Sequence, residues 1–262
     1  MALAGCATTG PGGTAPNPKD PLEPMNRVVF SFNETFDEYL AKPVAKGYRA
    51  VVPDPIRESV TNFFNNIGEL FNIANNALQG KGVATLESTL RFVFNTVFGI
   101  GGLLDFSTAV GIPKHPEDFG QTLGVWGLKS GPYVVLPLLG PSSARDMVGT
   151  GVQIYGNPLT YVDPVSTRNT LVGTAFVDTR ANLLDAGNLI DQAALDKYSF
   201  VRDAYLQRRQ YLVYDGDPPA EPAEPDAPAD AKPQAAPAAA PAASPASAPS
   251  VAPATEDKPQ AK

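Results

Sequence analysis

The sequence predicts a mainly α-helical domain without a conventional membrane-spanning helix, followed by a disordered tail. Apolar residues recur every three or four positions over long stretches, which is typical of amphipathic helices. The tail, residues 218–262, is dominated by Ala and Pro and has no aromatic residue, so it cannot bury enough apolar surface to fold. None of the charge-free runs is an uninterrupted apolar stretch of about 18 residues. Within the predicted domain, the longest of them are residues 92–104, 130–144 and 147–162.

The first predicted helix follows the sequence Asp-Pro-Leu-Glu-Pro at residues 20–24. Pro43 is expected to end it, because a proline inside a helix removes one hydrogen bond and clashes with the preceding turn. The residues of its apolar face are spaced by four, three, four and three positions. They are Met25, Val29, Phe32, Phe36 and Tyr39 with Leu40.

Asp54-Pro55 predicts the start of a second helix, with Asp54 as N-cap and proline at the first helical position. Its apolar face continues to Gly80. The opposite face is polar and mostly uncharged, and it carries Asn62, Asn65, Asn66, Glu69, Asn72, Asn76 and Gln79.

A third helix is predicted from Val83 to Phe98, with an apolar arc too wide for an ordinary surface helix. Glu87 and Arg91 are spaced as a favourable i,i+4 ion pair. After Pro113 the sequence predicts a loop-rich middle.

Residues 133–139 fit either a short strand or an irregular apolar hairpin, and Pro137 favours the hairpin. Helical spacing returns from about residue 166 to residue 214.

Charge and motifs argue against several classes of function. The net charge is −7 and there is no basic stripe, so nucleic acid is not an expected partner. His115 is the only histidine, and it is interpreted as a solvated loop residue. No Gly-x-Ser-x-Gly elbow or nucleotide-binding loop is present. We therefore predict a protein that is not an enzyme and has neither a metal site nor a cofactor.

Cys6, the only cysteine, ends the sequence Leu-Ala-Gly-Cys, which resembles the bacterial lipobox, where the cysteine thiol receives a diacylglycerol. The charged and apolar regions of a signal peptide do not precede it, so a late start codon or a trimmed sequence is implied. The alternative is a stray cysteine in a floppy terminus. The expected organisation is therefore a signal-peptide remnant at residues 1–5, a lipidated linker at 6–19, a helical domain at 20–217 and a disordered tail at 218–262.

Several motifs between residues 20 and 214, joined in this order, resemble the MlaA/VacJ family of outer-membrane lipoproteins. The resemblance covers nearly the whole predicted domain. The motifs are Asp20–Arg27, Phe30–Asn33, Asn62-Phe63, Asn72, Asn76, Leu78–Gly80, Arg91-Phe92, Asn95-Thr96, Gly99, Gly101-Gly102, Asp105, Glu117–Gly124, Gly131–Tyr133, Leu136-Pro137, Gly140–Ser142, Arg145-Asp146, Tyr198, Val201-Arg202, Ala204-Tyr205 and Gln207-Arg208.

This resemblance implies a ring-shaped helical domain in the periplasmic leaflet of the outer membrane of a Gram-negative bacterium. It implies an amphipathic channel that passes mislocalised glycerophospholipids to a soluble periplasmic carrier, with trimeric porins as partners. Lipid asymmetry of the outer membrane would depend on this transfer. The alternative is a structural, porin-associated lipoprotein that moves no lipid.

The wide apolar arcs agree with a protein embedded in one leaflet. The Asn-rich face of the second helix fits either a channel wetted by lipid headgroups or a plain solvated surface.

Two groups of residues are candidates for handling lipid. The first lies in residues 124–132, which we interpret as a mobile hairpin that gates the channel; its candidate residues are Gly124, Trp126, Gly127 and Gly131. The alternative is a rigid turn in which Trp126 anchors the protein at the membrane interface. The second group comprises candidate channel-lining or lipid-facing side chains, namely Phe63, Phe64, Phe71, Phe92 and Phe94.

Overall fold

A computed structural model describes residue 17 and residues 20–219. The predicted lipidation site Cys6 and the predicted tail from residue 220 onward lie outside the described residues. So do residues 1–5 and all of the predicted linker except residue 17.

The described chain is mainly α-helical, as predicted. Across residues 20–219, no helix is both long enough and apolar enough to span a bilayer. The elements are α1 Glu23–Phe36, a π-helical turn Asp37–Ala41, α2 Lys42–Val51, α3 Asp54–Leu78, α4 Gly82–Val97, α5 Phe106–Ala109, α6 Phe119–Val125, β1 Tyr133–Leu136, β2 Gly140–Ser143, α7 Ala144–Gly156, a 3-10 turn Pro158–Tyr161, α8 Val165–Asn182, α9 Leu184–Ala193 and α10 Lys197–Val213.

The prediction that Pro43 ends the first helix is wrong. The chain stays helical through residues 37–41 as a π-turn, in which Lys42 N–H bonds to the Asp37 carbonyl five residues earlier. Pro43 then lies in the first turn of α2, where a missing N–H is tolerated. The π-turn shifts the hydrogen-bond pattern just before the proline, so the ring no longer stops the helix.

The N-cap of the second predicted helix, α3, is one residue earlier than predicted. Pro53 occupies the N-cap position of α3, and Asp54 lies in the first turn, where a negative charge suits the helix dipole. There the Asp54 carboxylate pairs with Arg57.

The apolar segment after residue 132 forms a two-stranded antiparallel hairpin, which combines both predicted alternatives. Tyr133 pairs with Ser143, and Leu136 pairs with Gly140. β1 ends just before Pro137, which has no N–H for a ladder. Helix α7 follows directly, so the loop-rich middle predicted from the sequence contains a helix that was missed.

Contacts between the elements close into a circuit, which agrees with the predicted ring of helices. No large apolar core fills it: the buried apolar side chains of the described residues form two small clusters, centred on Ala45 and on Tyr133. The circuit runs from α1 to β1, β2, α10, α6, α3, α8 and α2, and returns to α1 through the π-turn.

Two asparagines of α1 hold the hairpin by imitating a neighbouring strand. Asn26 Nδ2 donates to the Tyr133 carbonyl and its Oδ1 accepts from Val135 N–H, both at 3.0 Å. Asn33, two helical turns further along, bonds in the same way to the backbone of residues 136 and 138. Since β2 covers only one edge of β1, the two carboxamides satisfy backbone groups on the other edge.

Candidate functional site

The distribution of polar and apolar side chains is the reverse of that in a water-soluble domain. Among the described residues, buried polar and charged side chains outnumber buried apolar ones by more than two to one. Arg91 and Asn26 are almost fully buried, whereas Val83 and Tyr39 are more than 70% exposed. Charged residues are almost never fully buried unless they are paired, so the interior must supply their partners.

The apolar faces predicted from the sequence point outward on several helices. Helices α1 and α4 alone expose more apolar side chains than a surface on which such residues are scattered singly. A surface of this kind is suited to a hydrocarbon environment rather than to water. Those most exposed are Met25, Val28 and Phe32 on α1, and Val83, Leu86, Val93 and Val97 on α4.

Two asparagines of the predicted polar face of α3, Asn66 and Asn76, and the adjacent Asn75 are neither a channel wall nor a solvated surface. Asn66 donates to the Thr96 hydroxyl at 3.0 Å, and Asn75 accepts from the Thr122 hydroxyl at 2.8 Å. Asn76 donates to a backbone carbonyl in the loop before α6. All three are buried, so this part of the face joins α3 to its neighbours.

Arg91 is the centre of the most buried charge cluster, which replaces the predicted Glu87–Arg91 pair. Its guanidinium bonds to Glu69 at 3.1 Å and to Asp105 at 2.9 and 3.1 Å. It also donates to the Ile112 carbonyl at 2.7 Å. One side chain therefore links α3, α4 and the segment around α5, because a guanidinium offers donors in several directions.

The surroundings of Asp105 in this cluster lower the pKa of its carboxyl group. Burial by itself raises its pKa, but hydrogen bonds from Thr108 and Lys114 and the charges of Lys114 and Arg91 outweigh that effect. The net result is a pKa well below its ordinary value. Asp105 is therefore ionised throughout the physiological range.

Glu87 pairs instead with His115, whose Nε2 lies 2.5 Å from Glu87 Oε2. The histidine is only about one-third exposed. His115 lies in a loop, as predicted, but its side chain is only partly solvated because it packs on Glu87 of α4. His115 lines a cleft of about 340 Å³ together with Lys81, Glu117 and Asp215.

A second charge cluster joins α6, α7 and α10 around Arg209. Its guanidinium contacts Asp118 at 2.5 Å and Asp146 at 2.8 Å, and Tyr205 donates to Asp146 at 2.7 Å. Burial raises the pKa values of both carboxyl groups, but the hydrogen bonds and charge of Arg209 contribute to holding them below the ordinary range. Buried ions thus occur here as hydrogen-bonded pairs.

The segment of the predicted gate is the end of a helix followed by a turn, not a hairpin. Gly124 lies in α6, where an added Cβ would lie 2.7 Å from an Arg145 nitrogen, so its role is close packing. Gly127 and Gly131 have φ angles of 92° and 71°, which favour glycine. The Trp126 ring is more than half exposed. Whether these residues move stays a prediction.

Trp126 is tied to two other elements despite its exposure. Its indole N–H donates to the carbonyl of Leu78, the last residue of α3, at 3.2 Å. Its ring packs edge-on against Phe119, with 6.2 Å between centroids. The Trp126 side chain therefore ties the segment to α3. Backbone hydrogen bonds from Leu128 N–H to the Leu123 carbonyl and from Arg145 N–H to the Ser130 carbonyl join it to α6 and α7.

The five candidate phenylalanines are all half-buried. Phe63 and Phe64 pack edge-to-face at 5.3 Å, and Phe94 packs against Phe98 at 5.7 Å. Phe71 lines an apolar crevice between α3, α6 and α7, and Phe92 lies half-buried on α4. Their contact with lipid stays a prediction.

Sequence reasoning about chemistry missed the interior polar residues, among them Asn26, Asn33, Arg91, Asp146 and Arg209. Most of these positions belong to the motifs that carried the family resemblance. The sequence does contain a signal for these buried polar residues, namely the recurrence of Asn, Asp and Arg within apolar segments. Such residues must find hydrogen-bonding partners when they are buried.

Comparison with known proteins places these features in one family. A family model described as "MlaA lipoprotein" matches residues 18–212. The intermembrane phospholipid transport system lipoprotein MlaA of Escherichia coli K12 is 37% identical over 82% of this chain and 86% of its own length. The protein of the same name from Haemophilus influenzae is 33% identical over 82% of this chain and 88% of its own.

A solved structure is similar to this chain in fold. It comes from work on the structural basis for maintenance of bacterial outer membrane lipid asymmetry. It matches with a TM-score of 0.65 and 34% sequence identity, covering 74% of this chain and 98% of its own.

Proposed function

Because the chain belongs to the MlaA lipoprotein family, we propose that it is the outer-membrane lipoprotein of an intermembrane phospholipid transport system. In this proposal it removes glycerophospholipids that have strayed into the outer leaflet and so maintains lipid asymmetry. The observation that carries the proposal is the reversed distribution of side chains, with apolar residues outside and paired polar residues inside.

The apolar exterior supports embedding of the domain in a single leaflet. A helix with a strongly apolar face lies in the membrane interface without crossing the bilayer. Polar groups that face hydrocarbon would cost several kcal/mol each, and the Arg91 and Arg209 clusters remove their charges from that environment. The domain is thus suited to the periplasmic leaflet, with acylated Cys6 securing its compartment.

The energetic need for such a protein follows from the acyl chains. Two chains carry about 30 CH₂ groups, so full exposure to water would cost on the order of 24 kcal/mol at ~0.8 kcal/mol each. A path that keeps the chains against apolar side chains removes most of this barrier. The chain has no nucleotide-binding motif. We therefore propose that other components supply the free energy that drives lipid transfer and that this protein catalyses no reaction.

The proposal includes trimeric porins and a soluble periplasmic lipid carrier as partners. Its rival is a structural lipoprotein that decorates porins without moving lipid. Both predict porin co-purification, so only lipid binding and lipid transfer discriminate between them.

We expect the purified native protein to carry phospholipid and an acylated Cys6. Native mass spectrometry of the full chain measures both in one spectrum, and a Cys6→Ser variant provides the control for the anchor. Cells without the protein should accumulate phospholipid on their surface. The alternative, a structural lipoprotein that moves no lipid, would be established by two results together. The protein would co-purify with porins without phospholipid, and cells lacking the protein would show unchanged surface phospholipid.

We further propose that residues 124–132 gate the lipid path. Support comes from the glycine-dependent turn at Gly127 and Gly131 and from the single hydrogen bond that ties Trp126 to the end of α3. Such a bond contributes about 0.5–1.5 kcal/mol net, which is small enough for the Trp126 side chain to be released from α3 and large enough to favour its bound position.

Trp126→Phe tests this gate, because it removes the indole donor and keeps an aromatic ring against Phe119. We expect phospholipid transfer between vesicles to become roughly 2- to 12-fold faster, the factor that corresponds to the loss of one such bond. Tyr161→Phe is the matched control, since it removes another exposed aromatic donor to a backbone carbonyl. Equal transfer rates in wild type and Trp126→Phe would exclude this latch.

A further inference from the structure

An apolar crevice lies between the C-terminal half of α3, the start of α6 and the end of α7. Its volume is about 190 Å³, and its surface exposes almost no polar atoms. The side chains and backbone that line it include Phe71, Ala74, Leu78, Phe119, Val152 and Gly156.

We propose that this crevice holds part of one acyl chain of a phospholipid. The inference rests on the proposed transport function and assigns to it a specific binding place. A cavity of about 150 Å³ lined by apolar side chains stays dry and binds benzene. The crevice therefore has room for roughly six to eight carbon atoms, which is a segment of one chain and not a whole lipid.

Three polar residues also line the crevice, namely Asn75, Asp118 and Gln153. None of them requires a polar ligand. The Asn75 side chain donates to the Phe71 carbonyl and accepts from Thr122. Asp118 is paired with Arg209 and also accepts from the Gln121 N–H. Because Asn75 and Asp118 are already engaged and Gln153 is exposed to solvent, the surface that the crevice offers to a ligand is apolar.

The crevice opens beside exposed apolar side chains of α3 and α7. Leu78 and Val152 line it and are 48% and 43% exposed. An acyl chain can therefore enter from the hydrocarbon without crossing water, which keeps the cost of exposing CH₂ groups low. This opening favours a lipid chain over a side chain of a soluble partner as the occupant.

Trp126 connects the crevice to the proposed gate. Its ring packs on Phe119 and its N–H bonds to the carbonyl of Leu78, and both of these residues line the crevice. Trp126 is also the only tryptophan in the chain. Its fluorescence therefore reports on the crevice without competing signals.

The test uses the full chain in detergent micelles and a phosphatidylethanolamine brominated near the end of one acyl chain, because bromine quenches tryptophan fluorescence on contact. Gly156→Leu is designed to fill the crevice: an added Cβ would lie 3.4 Å from Phe71, an ordinary contact. Gly151→Leu, on the same helix with nothing within 4 Å of its Cβ, is the matched control.

We expect the brominated lipid to quench wild type and Gly151→Leu at least twofold more than Gly156→Leu, and an unbrominated lipid to restore the fluorescence. Ala74→Phe, which fills the crevice from α3, should behave like Gly156→Leu, with Ala77→Phe as its exposed control. Circular dichroism establishes that each variant is folded.

Equal quenching in all variants would mean that lipid meets Trp126 only on the outer surface, and the crevice proposal would be wrong. If phospholipid still co-purifies in that case, the transport function stands without the crevice. A wild-type protein that neither carries phospholipid nor is quenched would overturn both.

Discussion

Replacing Arg91 by methionine should destabilise the domain by about 3–5 kcal/mol, the usual cost of removing one partner from a buried charge pair. Glu69, which is 4% exposed, and Asp105 would lose the guanidinium that links them. The Ile112 carbonyl would lose its donor as well. For a domain of about 200 residues this corresponds to a fall in Tm of roughly 6–20 °C, measured by circular dichroism in detergent micelles.

Arg49→Met is the matched control, because Arg49 pairs with Asp185 on the surface, where the carboxylate is 77% exposed. Exposed pairs contribute at most about 1 kcal/mol. Equal losses of stability in Arg91→Met and Arg49→Met would contradict the view that the buried cluster holds the helices together.

The same cluster predicts a dependence on pH. The folded-state pKa of Asp105 is depressed, so its contribution to stability is fully present above the ordinary pKa of about 3.9 and is lost as the pH falls toward the folded value. Arg91→Met removes one of the charges that depress this pKa, whereas Lys114 remains. We therefore expect the midpoint of acid unfolding to move to higher pH in the variant, and an unmoved midpoint would contradict it.

Asn26→Leu should cost about 2–6 kcal/mol, since it leaves the Tyr133 carbonyl and the Val135 N–H without partners, and each orphaned buried group costs about 1–3 kcal/mol. Asn26 is completely buried and also donates to Asp20 at 2.9 Å. The free energy of unfolding in urea measures the loss. Hydrogen exchange should show faster exchange of the Val135 amide, because its acceptor on α1 is gone.

Asn65→Leu is the control, since Asn65 is an exposed asparagine in the middle of α3. Asn33→Leu should give an intermediate loss, because Asn33 makes two such bonds but is only half-buried. Unchanged exchange at Val135 in Asn26→Leu would show that the hairpin holds its edge without α1.

Local patterns predicted most of the helices because apolar spacing is a short-range property of the chain. The predicted third helix, from Val83 to Phe98, differs from α4 by one residue at each end. One failure comes from a local change in the helix and another from distant groups. The π-turn carries the chain past Pro43, and Arg91 turns from Glu87 to Glu69 and Asp105, which lie on other elements.

The prediction of the candidate site was also limited by contacts between elements that are distant in the sequence. Sequence reasoning selected glycines and aromatic residues in the segment of Trp126, but the helix end, the bond to Leu78 and the crevice beside Phe119 appear only when α3, α6 and α7 are brought together. The interior asparagines were interpreted as facing lipid headgroups or water, because a single helix does not reveal what covers its polar face.

The sequence by itself determined that the domain is helical, that its helices are amphipathic and that residues 20–214 carry the motifs of one family. Only the tertiary structure decided which face of each helix is inside. Spacing defines two faces but not their direction, because the hydrophobic effect buries apolar faces in water and leaves them outside in a membrane. The partners of Asn26, Arg91 and Arg209 settle it: the polar faces pair with each other inside, and the apolar faces remain exposed.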